Sequence, residues 1–272
     1  MTDLQPFSPS LLTGRRALVT GGGTGIGRAI ATGLAYAGAD VVIAARRQEV
    51  LDEAAASIGA ATGRTVSTDL VDIRNLDTVT ALAERHTDID ILVNNAGGQF
   101  PQKARDFSPN GWRSVIDLNL NGTWNMIQAF GNTMLDRQGG SICNIVATVG
   151  RGIPGIAHSA SARAGVVELS KTLAYEWGPL VRINCVAPGQ FRTDAYDSTY
   201  DDGVGDGYVE QPLPHLGHVS DIANAAVFLV SPAARFITGE TIYVDGGLTV
   251  QGPMSALPPG GYPERNAPPP LR

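Results

Sequence analysis

Cysteine is scarce in this chain, with Cys143 and Cys185 the two present in 272 residues. Both lie in apolar runs, and two such residues build neither a disulfide framework nor a metal-ligand spacing. No metal is expected. Runs of basic residues are missing as well, and the formal net charge is -6. That balance disfavours nucleic acid as a partner. No apolar stretch reaches the roughly 18 residues that a membrane span needs, so no membrane partner is expected. Met1 to Leu12 contains no basic segment leading into an apolar core, which argues against a signal peptide and for a cytoplasmic location. Charged residues make up 17% and apolar ones 43% of the chain. A chain of this length and composition buries a large core without covalent staples.

Glycine, by contrast, is concentrated where it carries chemistry. Thr20-Gly21-Gly22-Gly23-Thr24-Gly25-Ile26-Gly27 follows the apolar run Ala17-Leu18-Val19 and precedes a small-residue segment suited to a helix. Strand, glycine turn and helix form the context of a phosphate-binding turn. Glycine allows positive φ and close backbone approach, and the new helix offers free N–H groups and the positive end of its dipole. A tight turn with no ligand would use the same residues.

Further strand signals follow at Asp40–Ala45, Thr65–Thr68, Ile89–Val93, Ser141–Ala147, Val181–Ala187 and Thr241–Asp245. Helical spacing is read at Arg28–Tyr36, Val50–Ile58, around Leu76–Ala83, Gly111–Arg137, Ser159–Trp177 and Asp221–Val230. Alternating strands and helices predict an α/β domain with a mainly parallel sheet covered on both faces. We read an N-terminal arm (1–14), one domain (15–250) and a tail (251–272) with seven prolines among 22 residues. Residues 194–219 are polar, rich in Gly, Asp and Tyr, and expected to act as a lid. Ligands of such sheets bind at the carboxyl ends of the strands, where strand order reverses. The glycine turn, Asn94–Gly97, Val146–Thr148 and Pro188–Gly189 all fall at such ends.

Several of these motifs together resemble the landmarks of the short-chain dehydrogenases/reductases. They are Thr20-Gly21-x3-Gly25-x-Gly27, Asp69, Asn94-Asn95-Ala96-Gly97, Asn119-Leu120-x-Gly122, Pro188-Gly189-x3-Thr193 and Asp245-Gly246-Gly247. The resemblance covers roughly residues 14–250. It implies a Rossmann-type, doubly wound, seven-stranded parallel sheet in the order 3-2-1-4-5-6-7, a nicotinamide cofactor and a homotetramer. Gly21, Thr24, Gly25, Ile26 and Gly27 would cradle the pyrophosphate. Asp69 and Leu70 would contact adenine, and Asn95, Ala96 and Gly97 would line the cleft. Phe191 and Thr193, after Pro188-Gly189, would hold the nicotinamide carboxamide. Asn95 could instead only tie strands together, and Asp245 is expected to cap a turn.

The position after the second strand decides which cofactor is favoured. An acidic residue there accepts bonds from a ribose diol and repels a 2′-phosphate. Here Ala45 is followed by Arg46 and Arg47, whose guanidinium groups suit a phosphate dianion. NADP(H) is therefore favoured over NAD(H), unless both arginines are merely solvated helix-start residues.

The catalytic positions depart from the family pattern of Ser…Tyr-x-x-x-Lys. Aligned on Ala164-Gly165-Val166, Arg163 takes the lysine slot, Ser159 the tyrosine slot and Val146 or Ala147 the serine slot, while Asn119 is retained. Arginine keeps a positive charge in the site, but Ser159 cannot replace a tyrosine as proton donor. His158-Ser159-x-x-Ala162-Arg163-Ala164-Gly165-Val166 and Asn94-Asn95-x-Gly97-Gly98-Gln99-Phe100 are similar to the trans-2-enoyl-CoA reductase branch. The tyrosine and lysine that this branch carries further along the helix match Val167 and Lys171. The related dienoyl-CoA reductases place a tyrosine where Thr148 stands.

Enoyl reduction tolerates such a loss, because it asks chiefly for donors to an enolate oxygen. Thr148, His158 and Ser159 are the candidate donors, with His158 expected to stay neutral at a helix start. It could also be a helix-start residue that points away. Tyr196, Tyr200 and Tyr208 could supply a phenol from the lid or serve only as apolar cover. Three readings remain open: reduction of an activated C=C such as an enoyl-CoA thioester, ketone or alcohol chemistry with a recruited acid, and a non-catalytic NADP(H)-binding sensor or scaffold.

Overall fold

A computed structural model describes residues 6–150, 152–191, 193, 211–213 and 215–250. Seven strands run Arg16–Thr20 (β1), Asp40–Ala45 (β2), Val66–Leu70 (β3), Ile91–Asn94 (β4), Gly140–Ile145 (β5), Val181–Pro188 (β6) and Thr241–Val244 (β7). They form one sheet in the order β3-β2-β1-β4-β5-β6-β7 with every pairing parallel. Parallel strands need crossover helices, which bury both sheet faces and explain why the strands read as continuous apolar runs. The helices are Gly25–Tyr36 (α1), Gln48–Thr62 (α2), Leu76–Arg85 (α3), Pro109–Ile116 (α4), Gly122–Leu135 (α5), Ala157–Trp177 (α6) and Val219–Val230 (α7).

Alternation along each strand sends side chains into two cores. Val19 and Ile43 meet Ile30 and Leu34 of α1, Leu51 of α2 and Val227 of α7 on one face. Leu18, Val42 and Leu92 meet Leu82 of α3, Ile127 and Phe130 of α5 and Leu173 of α6 on the other. The N-terminal arm takes part, since Leu12 is buried and its N–H bonds to the Ala37 carbonyl.

Periodicity reads Gly111–Arg137 as one helix. The structure breaks it into α4 and α5 around a π turn at Asp117–Asn121. A π turn inserts one residue within an otherwise continuous helical path, a change of phase too small for residue spacing alone to mark. Such turns mark functional sites, and this one carries the buried Asn119.

A buried polar ladder ties the central strands to α6. Asn94 Nδ2 donates to Asn144 Oδ1 (2.8 Å), Asn144 Nδ2 to Ser170 Oγ (2.9 Å), and Ser170 Oγ to the Val166 carbonyl (2.7 Å). Breaking it strands polar groups away from water. Asn144→Ala is expected to lower unfolding free energy by about 2–4 kcal/mol in urea denaturation.

Candidate active site

The site lies where the strand order reverses, beside the carboxyl end of β1. There the chain turns through Gly21 (φ 64°) and Gly25 (φ 48°) into α1. Gly27 is demanded by packing, because a Cβ there would collide with the Gly21 carbonyl oxygen. Asn95 braces the turn from behind: its Nδ2 donates to the carbonyls of Thr20 (3.1 Å) and Gly21 (3.2 Å). Thr20 Oγ1 accepts the N–H groups of Asn95 and Ala96, so Asn95 ties the end of β4 to the glycine turn. Thr24 caps α1 without a side-chain hydrogen bond, and no acidic residue occupies the first turn. The helix start therefore presents N–H groups without a side-chain acceptor, the donor set a pyrophosphate requires.

A cavity of about 250 Å³ opens in front of this turn. Gly21, Gly23 and Thr24 line one wall, Arg46 and Arg47 an end, and Ala96 and Gly97 the side towards Arg163 and Asn119. Both arginines are exposed. Val71, Asp72 and Ile73 line the cavity wall, and Asp69 and Leu70, the expected adenine contacts, are not among its residues. Asp69 instead accepts from Arg85 (2.9 Å) and pairs with His86 (2.9 Å), and Leu70 faces solvent. Burial alone would raise the Asp69 pKa, but bonds from Arg85 and His86 hold it below the usual 3.8. Asp69-Leu70 and Asp72-Ile73 are both acidic-apolar pairs, and β3 ends between them. The two were not distinguishable by residue type.

Arg163 of α6 lies against Gly97, which lines the cavity. It is half-buried, and Nη1 donates to the Ile145 carbonyl at 2.7 Å. Gly97 makes room for it: a Cβ there would collide with Arg163 Nη2 and lie 2.7 Å from Asn119 Oδ1. Asn119 clamps the same loop, accepting from the Gly98 N–H (3.0 Å) and donating to the Gly98 carbonyl (2.8 Å). Desolvation pulls the Arg163 pKa down to about 10, so the guanidinium remains charged at neutral pH. Among the described residues no carboxylate pairs with it. Lys171 points to solvent and pairs with Glu168 at 3.0 Å, which leaves Arg163 as the cation of the site.

Ser159 is buried, and its hydroxyl donates to Gln99 Oε1 at 2.7 Å. Gln99 is 60 residues away in sequence, so nothing in the sequence signals its contact with Ser159. His158 is fully buried, with ring centroids 4.7 Å from Phe100 and 4.4 Å from Phe107. Its Nδ1 takes the Ser159 N–H at 2.7 Å, and its Nε2 has no partner among the described residues. His158 thus supports an aromatic cluster and does not line the cofactor cavity. Burial lowers its pKa from 6.5, so it is neutral at pH 7 as expected. Thr148 follows β5 and is buried.

On the far side, Gly189 follows Pro188 at the end of β6 and packs against Asp245. The Phe191 ring is buried against Gly217, while Thr193 lies beside Gly25. Asp245 does cap a turn, accepting from Gly247 N–H and from Thr249 N–H and Oγ1. Tyr196, Tyr200 and Tyr208, most of the expected lid and the tail lie outside the described residues. Among the described residues no metal-binding cluster occurs and no helix is long and apolar enough to cross a membrane.

Comparison with known proteins agrees with this architecture. The family model described as enoyl-(acyl carrier protein) reductase matches residues 21–249. A 3-oxoacyl-[acyl-carrier-protein] reductase of Chlamydia trachomatis is 40% identical over 245 residues, 88% of this chain and 98% of that protein. A peroxisomal 2,4-dienoyl-CoA reductase of Danio rerio is 36% identical over 251 residues, 89% of this chain and 83% of its own length. The crystal structure of a gluconate 5-dehydrogenase from Burkholderia cenocepacia, in complex with NADP and tartrate, superposes with a TM-score of 0.84. It is 34% identical and covers 90% of this chain and 98% of its own. The chain belongs to the short-chain dehydrogenase/reductase family. It is an oxidoreductase of the nicotinamide-dependent type.

His158 yields a pH prediction. Its folded pKa is lowered, so between that value and 6.5 the unfolded chain binds more protons and stability falls as pH drops. Thermal unfolding followed from neutral to mildly acidic pH is expected to show this loss below about pH 6.5. His158→Gln is expected to lower stability at neutral pH and flatten that dependence.

Proposed function

We propose that the chain is an NADP(H)-dependent reductase of an activated C=C bond, acting on a trans-2-enoyl thioester such as an enoyl-CoA. The observation that carries this reading is the composition of the site. A charged guanidinium, hydroxyls and a carboxamide surround the place of the family's phenol, and Ser159 stands in that slot. Reducing a ketone needs a strong proton donor to oxygen as hydride reaches carbon. Conjugate reduction does not, since charge gathers on the thioester oxygen as an enolate that fixed dipoles and a nearby cation stabilise.

The bound cofactor would supply the hydride. Gly21, Thr24, Gly25 and Ile26 would hold its pyrophosphate, with Arg46 and Arg47 on a 2′-phosphate and Asp72 and Ile73 at adenine. Asn95, Ala96, Gly97 and Arg163 would border the nicotinamide half, with Pro188, Gly189, Phe191 and Thr193 closing its far side. Asn119 fixes Gly97-Gly98, Arg163 sets a positive potential, and Thr148 and Ser159 furnish polar hydrogens near the reacting oxygen. His158 acts by supporting the loop. The Cβ accepts hydride, and water protonates the Cα.

The family resemblance adds a homotetramer, for which the exposed Tyr175 (91%) and Phe236 (100%) offer apolar surface to cover. A second reading, ketone or alcohol chemistry, is favoured by Tyr243. A Cβ at Gly150 would lie 3.1 Å from its hydroxyl, next to the loop carrying Thr148.

With NADPH and crotonyl- or longer enoyl-CoA, substrate-dependent NADPH oxidation is expected. Turnover confined to a ketone panel and abolished in Tyr243→Phe would select the second reading. NADPH binding with no turnover on either panel would leave a sensor or scaffold. In the same assay, Arg46→Ala/Arg47→Ala is expected to raise the Kd for NADPH by about 10- to 100-fold. NADH affinity should stay within about twofold, and an equal loss for both coenzymes would contradict the phosphate assignment.

A further inference from the structure

The loop that follows β6 is held by a segment 21 residues further along the chain. Gly189 is pinned to β7: its N–H donates to the Val244 carbonyl at 2.9 Å, and a Cβ there would collide with Asp245. Gln190 is then engaged twice. Its carbonyl accepts the Gly217 N–H at 3.0 Å, and its Nε2 donates to Gln211 Oε1 at 3.0 Å. Phe191 forms a parallel bridge with Gly217 and lays its buried ring against that residue.

Gln211 is the centre of this contact. It is 3% exposed, and both ends of its carboxamide are used, Oε1 by Gln190 and Nε2 on the His215 carbonyl at 2.9 Å. A Cβ at Gly246 would collide with the same Nε2, so the turn after β7 fits around it. The Leu213 N–H closes the contact on the Gly246 carbonyl at 3.0 Å. Asp245 holds that turn through Gly247 and Thr249, and the His218 N–H on Asp221 Oδ2 (2.9 Å) fixes the start of α7. A buried amide satisfied at both ends has one favoured placement, because moving it strands polar groups away from water. At its far end the loop reaches the glycine turn, where a Cβ on Gly25 would lie 3.7 Å from Thr193 Cγ2.

We propose that Gln211 is a positioning residue for the nicotinamide half of the coenzyme, acting through Gln190 on the Gly189–Thr193 loop. This rests on the placement of Pro188 to Thr193 beside that half and is independent of the substrate. A loop ordered in advance loses little further freedom when the coenzyme arrives, and the saving appears as affinity. The effect is confined to one end of the ligand. Neither Gln190 nor Gln211 is among the residues lining the cavity at the glycine turn and the arginines.

Two ligands separate this role from a general contribution to stability: NADPH, and 2′-phospho-ADP-ribose, which is the coenzyme without its nicotinamide. Gln211→Met and Gln190→Met each remove the side-chain link at similar size. Both are expected to raise the Kd for NADPH about tenfold. The Kd for 2′-phospho-ADP-ribose is expected to stay within about twofold of wild type. The double variant is expected to lose no more than either single one, since one bond is at stake. Gln190 is half-buried, so Gln190→Met carries the test if Gln211→Met does not fold. Unchanged NADPH affinity in the variants, or an equal loss for both ligands, overturns the role of Gln211 and leaves the coenzyme reading standing. A double variant weakened about 100-fold, the product of two independent losses, overturns it too. Wild-type protein that binds the two ligands equally overturns the placement of the loop, and the proposal with it.

Discussion

The site depends on placing a guanidinium at the floor of the cleft without a carboxylate to meet it among the described residues. Arg163 keeps its charge although desolvation pulls its pKa to about 10. The cost of that desolvation is offset by the Ile145 carbonyl and by space left at Gly97. Such a charge biases everything near it towards negative partners, in the ground state or as charge develops. It also has to be held still. The ladder from Asn94 through Asn144 to Ser170 fixes α6, and the π turn fixes Asn119 against Gly98. Fold and site are thus one mechanical unit, in which central strand ends and two helices locate one charge.

The rest of the site sorts into a grip and a reaction face. The grip is backbone: an uncapped helix start, glycines with positive φ and the Asn95 brace behind them. It tolerates variation in side chains because few of them take part. The proposed reaction face is side-chain chemistry: Ser159 stands in the slot of the family's tyrosine, and a cation, hydroxyls and a carboxamide make up the rest. That combination suits a reaction whose charge settles on oxygen and whose proton arrives at carbon.

Much of this was legible in the sequence, for reasons that differ from element to element. The β1–turn–α1 unit could be read because glycines and a buried strand leave few alternatives. Seven strands and their order followed from the family resemblance that the motifs carry, and the observed sheet has that order. Arg163 could be placed by alignment, and the structure takes Lys171 out of contention. Other features were hidden for physical reasons. Asp69 and Asp72 each precede an apolar residue, and residue type alone does not say which one lines the cavity. The π turn is a one-residue insertion within a continuous helical path, too small a shift for residue spacing to mark. His158 was legible as neutral, but its burial between Phe100 and Phe107 comes from a loop some 50 residues earlier in the chain. Gln99 owes its place to a tertiary contact with Ser159, 60 residues later in the chain.

The account's central claim is that this site holds the coenzyme around a permanent positive charge and works without the family's phenol. The pH dependence of kcat with saturating NADPH and crotonyl-CoA tests it most directly. Arg163 stays charged and a carboxamide does not ionise, so kcat is predicted to remain flat from about pH 7 to 9. A limb within that window that titrates as a single group, reporting an acid that must stay protonated for turnover, would contradict it.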